Sequence, residues 1–140
     1  MNKINIYLSG ACKHTSYNFQ SWRRSFKNYL EDYVFNDLFN VIDPMIHFDY
    51  DDNKPPTDKA CHDLFFHLID KSDVLIVNLD NSDLSPGTAM EVHHALVNNI
   101  PIIGFGNMKD TWYPWVKEEC SVVLSSIHNA IEYVYEHYCI

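Results

Sequence analysis

No stretch of this sequence is apolar over anything close to the ~20 residues that a bilayer-spanning helix needs. Its start, Met1-Asn2-Lys3-Ile4, has no charged segment leading into a long apolar one. Neither a membrane anchor nor a secretory leader is expected, and the sequence reads as cytoplasmic. Basic residues are also scarce, with 10 Lys and Arg against 19 Asp and Glu for a formal net charge of −9. A field of that sign repels nucleic-acid backbones and anionic membranes, so neither is an expected partner. A small anion, held by a few local donors, stays open. The four cysteines, Cys12, Cys61, Cys120 and Cys139, make no CxxC pair. Their scatter fits reduced thiols rather than a disulfide framework or a zinc site. Internal repeats, low-complexity tracts and linkers are missing too, and 140 residues suit one domain over 1–140.

What the chain does contain is an alternation of strand-like and helix-like segments. Lys3 to Ser9 (KINIYLS) is an apolar run ending in Ser9-Gly10, as expected of a buried strand followed by a loop. Between Asn18 and Tyr33 the residues Phe19, Trp22, Phe26, Tyr29, Leu30 and Tyr33 recur at helical spacing, which predicts an amphipathic helix. Phe39 to Ile42 reads as a second strand stopped by Asp43-Pro44. Asp49 to Thr57 is polar and proline-bearing, and reads as a surface loop. A helix from about Asp58 to Lys71 follows, with Cys61, Leu64, Phe65, Leu68 and Ile69 inward. Asp73 to Leu79 (DVLIVNL) has the near-continuous apolar, β-branched character of a strand covered on both faces. Gly87 to Asn98 reads as a helix, Pro101 to Phe105 and Val122 to Leu124 as strands, and Ser126 to His137 as a closing helix capped by Ser126. This order predicts an α/β, flavodoxin-like or Rossmann-like domain. Its sheet would have about five parallel strands, with helices on both faces. Ligands in such folds sit outside the carboxyl ends of the strands. Ser9 onward, Asp80 to Thr88 and the loop after Phe105 should therefore meet there.

The chemistry concentrates in Asp80 to Leu96 (DNSDLSPGTAMEVHHAL), where a central strand passes through an acidic loop into a helix opened by Gly87-Thr88. Free N–H groups and the dipole at that end favour an anion, and Ser85 and Thr88 add hydroxyls. Glu91 lies a turn further on. A carboxylate in that position can attack an anomeric carbon and hold a glycosyl ester. It can equally be a helix carboxylate that complements the dipole, and spacing alone does not separate the two.

Four stretches together resemble the nucleoside 2-deoxyribosyltransferases: IYLSG (Ile6 to Gly10), SDVLIVNLD (Ser72 to Asp80), SPGTAMEVHHAL (Ser85 to Leu96) and NIPIIGF (Asn99 to Phe105). The second is similar to the family's central strand, and the third to its SxGTxxE signature. The resemblance covers most of the chain in order and implies a nucleophilic Glu91 oriented by Tyr7. Ser9 and Gly10 would line the sugar or phosphate pocket, with Ser85, Gly87 and Thr88 binding substrate. Ser85 stands six residues before Glu91. Base-exchanging members often have an aspartate there, whereas the related deoxynucleoside 5′-monophosphate N-hydrolases have a phosphate-binding serine. The implied partner is a nucleoside or nucleotide, cleaved with transfer to another base or to water, and no metal or organic cofactor is required. A homodimer or larger homo-oligomer is implied as well. One departure concerns the acid that protonates the leaving base: Phe65 occupies the position of the family's aspartate. Asp63 on the same helix and Asp80 at the strand end are the remaining candidates. A non-catalytic nucleotide-binding sensor on the same fold is the alternative of a different class.

Other polar residues read more simply. Asp73 suits a structural role at a helix-to-strand turn. His93 and His94 point in different directions on their helix and suit surface or packing roles. His62, Asp63 and His67 lack the spacing of a helical metal pair. Asp49, Asp51 and Asp52 lack the glycine and distal glutamate of a calcium loop. Arg23 and Arg24 read as surface residues, although one of them could reach a phosphate. Trp112-Tyr113-Pro114-Trp115 reads as a lid, a subunit contact or ordinary packing.

Overall fold

The computed structural model describes residues 3–11, 17–34, 37–44, 58–80, 85–107 and 115–138. Five strands, β1 (Ile4–Ser9), β2 (Phe39–Ile42), β3 (Val74–Asn78), β4 (Ile102–Phe105) and β5 (Val122–Leu124), form one sheet in the order β2-β1-β3-β4-β5. Every neighbouring pair is parallel. The helices are α1 (Tyr17–Asn28), α2 (Asp58–Asp70), α3 (Pro86–Val97), α4 (Trp115–Glu118) and α5 (Ile127–Tyr138). The α/β architecture expected from the alternating pattern is therefore the one observed.

Side-chain alternation along the strands sorts the core into two layers. Ile6 and Leu8 of β1, Val74 and Ile76 of β3, and Ile103 and Phe105 of β4 pack with Trp22, Phe26 and Leu30 on one face, where Ala130, Ile131 and Val134 of α5 join them. Tyr7, Leu75, Val77 and Ile102 face the other way. They pack against Ile69 of α2, Val92 and Ala95 of α3 and Val116 of α4. Burying each large apolar side chain contributes about 1.5–3 kcal/mol, which is why strands covered on both faces are apolar almost throughout.

Most expected boundaries hold to within a residue or two. The helix expected between Asn18 and Tyr33 is a true α-helix only to Asn28 and continues as a π-helical turn, Tyr29–Val34. Leu30 there is buried whereas Tyr29, expected on the apolar stripe, is exposed. The turn carries Glu31 against edge strand β2. Its Oε1 accepts from Val41 N at 2.7 Å, and Lys27 Nζ donates to Val41 O at 2.7 Å. An open strand edge is thus satisfied by side chains. On α2 only Ile69 of the five residues expected inward is fully buried; the others are half-buried at its rim. The short helix α4 had no counterpart in the sequence reading. Asp73 Oδ2 accepts from Asn5 N at 2.8 Å and ties the α2–β3 turn to β1, the structural role expected of it. Ser126 Oγ accepts from Asn129 N at 3.3 Å, as a cap of α5. The stretch Asp49 to Thr57 and Trp112 to Pro114 lie outside the described residues.

Candidate active site

Tyr7 and Ser9 are two apart on β1 and so project to the same face, toward α3. Helix α3 starts one residue earlier than expected, with Ser85 as its N-cap and Pro86 at its first position. Ser85 Oγ accepts from Thr88 N at 3.2 Å and from Thr88 Oγ1 at 2.8 Å. Among the described residues, both of these are bonds that the Ser85 hydroxyl accepts. Thr88 and Glu91, three apart and hence on one side of the helix, are both buried.

The Glu91 carboxylate sits between the two β1 side chains. Tyr7 Oη donates to Oε2, and Ser9 Oγ donates to Oε1 at 3.1 Å. Capping of α3 therefore falls to Ser85, and Glu91 is bound sideways to the sheet, not to the helix end. Burial pushes its carboxyl up to about 7, while the Tyr7 hydrogen bond, the charge of Arg23 and the Ser9 hydrogen bond pull it back down. A carboxylate that is substantially ionised near neutrality, yet largely desolvated, is suited to nucleophilic attack.

Gly10 is enclosed where α1 crosses the end of β1. A Cβ there would stand 3.1 Å from Trp22 Cζ2 and 3.5 Å from Arg23 Nη2, so glycine permits that close approach. Gly87 is exposed, and a Cβ there would meet no atom within 4 Å. Asp80, at the end of β3, accepts from Asn107 N through Oδ1 at 2.9 Å. It borders a cavity of about 360 Å³ at the carboxyl ends of β3, β4 and β5, lined also by Trp22, Asn78, Phe105, Gly106 and the Ser125–Ile127 start of α5. Glu91 is not part of that lining. The cavity opens toward the α1 and α5 layer, and Glu91 belongs to the opposite one.

Asp63 is not brought to this group. It is exposed on α2 and ion-paired with Lys59 at 3.0 Å, and its contacts with Lys59 and then His62 hold its carboxyl below the usual range. Phe65 is half-buried and packs against the layer that contains Tyr7. His93 pairs with Glu119 at 2.8 Å and His94 with Asp70 at 2.7 Å, both in exposed contacts.

Arg23 corrects the sequence reading. Arg24 is exposed as expected, but Arg23 is only 2% exposed. Its Nη2 donates to Gly10 O at 2.7 Å, and its Nε lies 4.0 Å from Asp43 Oδ1. The signal was available: Arg23 stands three residues before Phe26 and seven before Leu30, on the buried stripe of the helix.

The family model for nucleoside 2-deoxyribosyltransferases matches residues 6–132, nearly the whole of this arrangement. The chain belongs to the nucleoside 2-deoxyribosyltransferase family. Comparison with curated protein sequences gave no significant match. Among solved structures, the chain is similar to a conserved protein from Enterococcus faecalis V583. The TM-score is 0.72 at 14% identity, over 96% of this chain and 99% of that one. It is also similar to a 2-deoxyribosyltransferase from Bacillus psychrosaccharolyticus, with a TM-score of 0.69 at 14% identity over 92% and 91%. Both likenesses show the same fold carried by a very different set of residues.

Proposed function

We propose that this family member cleaves the N-glycosidic bond of a 2′-deoxynucleoside or its 5′-monophosphate and passes the deoxyribosyl group to another base. The observation that carries this reading is the double hydrogen bond from Tyr7 and Ser9 to the buried carboxylate of Glu91. Glu91 attacks C1′ and forms an ester as the C1′–N bond breaks, and the bonding pair leaves with the base. A nitrogen of the second base then attacks C1′ and releases Glu91, so two inversions retain the configuration. Tyr7 and Ser9 aim the carboxylate so that little reorganisation remains at the moment of attack.

For the proton of the departing base, worth ~10²–10⁴-fold, Asp63 is exposed and ion-paired with Lys59 and Asp80 borders a cavity that Glu91 does not line, so neither carboxylate is assigned that role. Hydrolysis of monophosphates is a second reading with its own support. The Ser85 hydroxyl at the N-terminal end of α3 favours a phosphate over a sugar hydroxyl.

One chromatographic assay tests both. The protein is incubated with deoxynucleosides and with their 5′-monophosphates, each with and without a second free base. Exchange of bases supports transfer, and release from monophosphates alone supports hydrolysis. Saturable binding without turnover would make the protein a nucleotide-binding module instead. Full turnover by Glu91→Ala would sink the mechanism.

A further inference from the structure

We infer that Arg23 is a positioning residue for Glu91, fixing the Ser9–Gly10 end of β1 against the nucleophile and setting a buried positive charge behind it. The inference rests on the reading of Glu91 as the nucleophile and adds a residue from a different layer of the fold.

The way Arg23 is held carries the argument. A buried guanidinium is costly unless its N–H groups are satisfied, and the usual solution is a two-pronged bond to a carboxylate. Arg23 does not adopt it. Asp43 stands 4.0 Å from Nε, beyond hydrogen-bonding distance, and both Nε and Nη1 lack a hydrogen-bond partner among the described residues. Among the described residues its hydrogen bond goes to Gly10 O, the residue after Ser9, whose hydroxyl holds Glu91 Oε1. The guanidinium also lies over the Trp22 ring, 4.9 Å from its centroid, and Trp22 closes on Gly10 from the same side. Among the described residues its charge is met only by Asp43 at 4.0 Å, and its hydrogen bond locks the strand end that carries a ligand of the nucleophile.

Among the described residues, Arg23 is the cation whose charge acts on the Glu91 carboxyl. From β1 it meets the uncharged donors Tyr7 and Ser9. At the carboxyl ends of β2 and β3 stand Asp43 and Asp80, both acids. From α2 comes Asp70, paired with His94, and after α4 comes Glu119, paired with His93, both in exposed contacts. The Cys120 thiol beside α4 is pushed up to about 12 by burial and the nearby Glu119 charge, so it stays neutral. The same balance appears in Glu91 itself, where the Arg23 charge is one of the influences that oppose desolvation.

The test is a titration of the Glu91 carboxyl by carbon-13 NMR, assigned with Glu91→Gln, in the wild type, Arg23→Lys and Arg23→Met. Removing the charge should raise the midpoint by roughly one unit or more, and Arg23→Lys should stay near the wild type. An unchanged midpoint in folded Arg23→Met overturns the inference. Should that variant not fold, Asp43→Asn keeps Arg23 and removes its competing carboxylate. The midpoint should then fall, and an unchanged value again overturns the inference. Base release is measured in parallel across the same pH range. If the wild type releases no base while the midpoints shift as stated, the nucleophile reading fails and the Arg23 contact stands.

Discussion

The phenol of Tyr7 on β1 donates to Glu91 Oε2 on α3, a buried contact between residues 84 positions apart. It joins the second core layer of the sheet to the helix that follows β3. β1 and β3 are hydrogen-bonded neighbours, with Tyr7 opposite Leu75 and Ser9 opposite Val77, and α3 packs against both strands. Both partners are held from behind by packed elements, so the carboxylate has few orientations available.

Glu91 should make the protein's stability fall with rising pH. Its carboxyl is raised in the folded state from 4.5 to about 7. The folded protein therefore binds the proton more tightly than the unfolded chain does. Its contribution is fully present below the unfolded value and is lost as pH rises to about 7. Glu91→Gln removes this dependence. It should be more stable than the wild type at pH 8, by about 3 kcal/mol at most, and little different at pH 4. Urea denaturation at the two pH values measures it. Base release by the wild type should climb over the same window, because only the ionised carboxylate attacks.

Tyr7→Phe should keep the fold, since the ring is buried among apolar neighbours and only the hydroxyl is lost. The lost hydrogen bond to a charged group is worth about 1.5–3 kcal/mol, so turnover should drop roughly 10–100-fold. The acid limb of the pH profile should also move upward, because the Tyr7 bond lowers the Glu91 carboxyl. Steady-state rates between pH 5 and 9 measure both effects. An unmoved limb would mean that Tyr7 only packs.

Gly106→Ala tests the end of β4. Gly106 has φ +95, and a Cβ there would stand 2.7 Å from Asp80 Oδ1. Strained backbone costs of order 1–3 kcal/mol, and Asp80 would have to move as well. Thermal unfolding should show a clear loss of stability, whereas Gly87→Ala, with open space around its Cβ, should tolerate the change.

Much of this was legible in the order of the residues. Strands covered on both faces must be apolar, so Val74 to Asn78 announced itself as a central strand, and Ser85-Pro86 marked the start of α3 by the chemistry of helix ends. The family resemblance pointed to Glu91 and to Tyr7 as the residue that orients it. Local pattern could not report on distance. The stripe of α1 is readable, but that Arg23 on it reaches across to Gly10 O depends on where α1 crosses β1. Asp63 and Asp80 were equal candidates for the leaving-group acid, since both are carboxylates near the expected site. Packing turned Asp63 out to Lys59 and set Asp80 beside a cavity at the strand ends that Glu91 does not line, placements that no local pattern reports. Composition and periodicity determined which elements form and which faces they bury, because those depend on each segment's own side chains. Only the tertiary structure decided the environment of Glu91, because desolvation and nearby charge are set by residues drawn from distant parts of the chain.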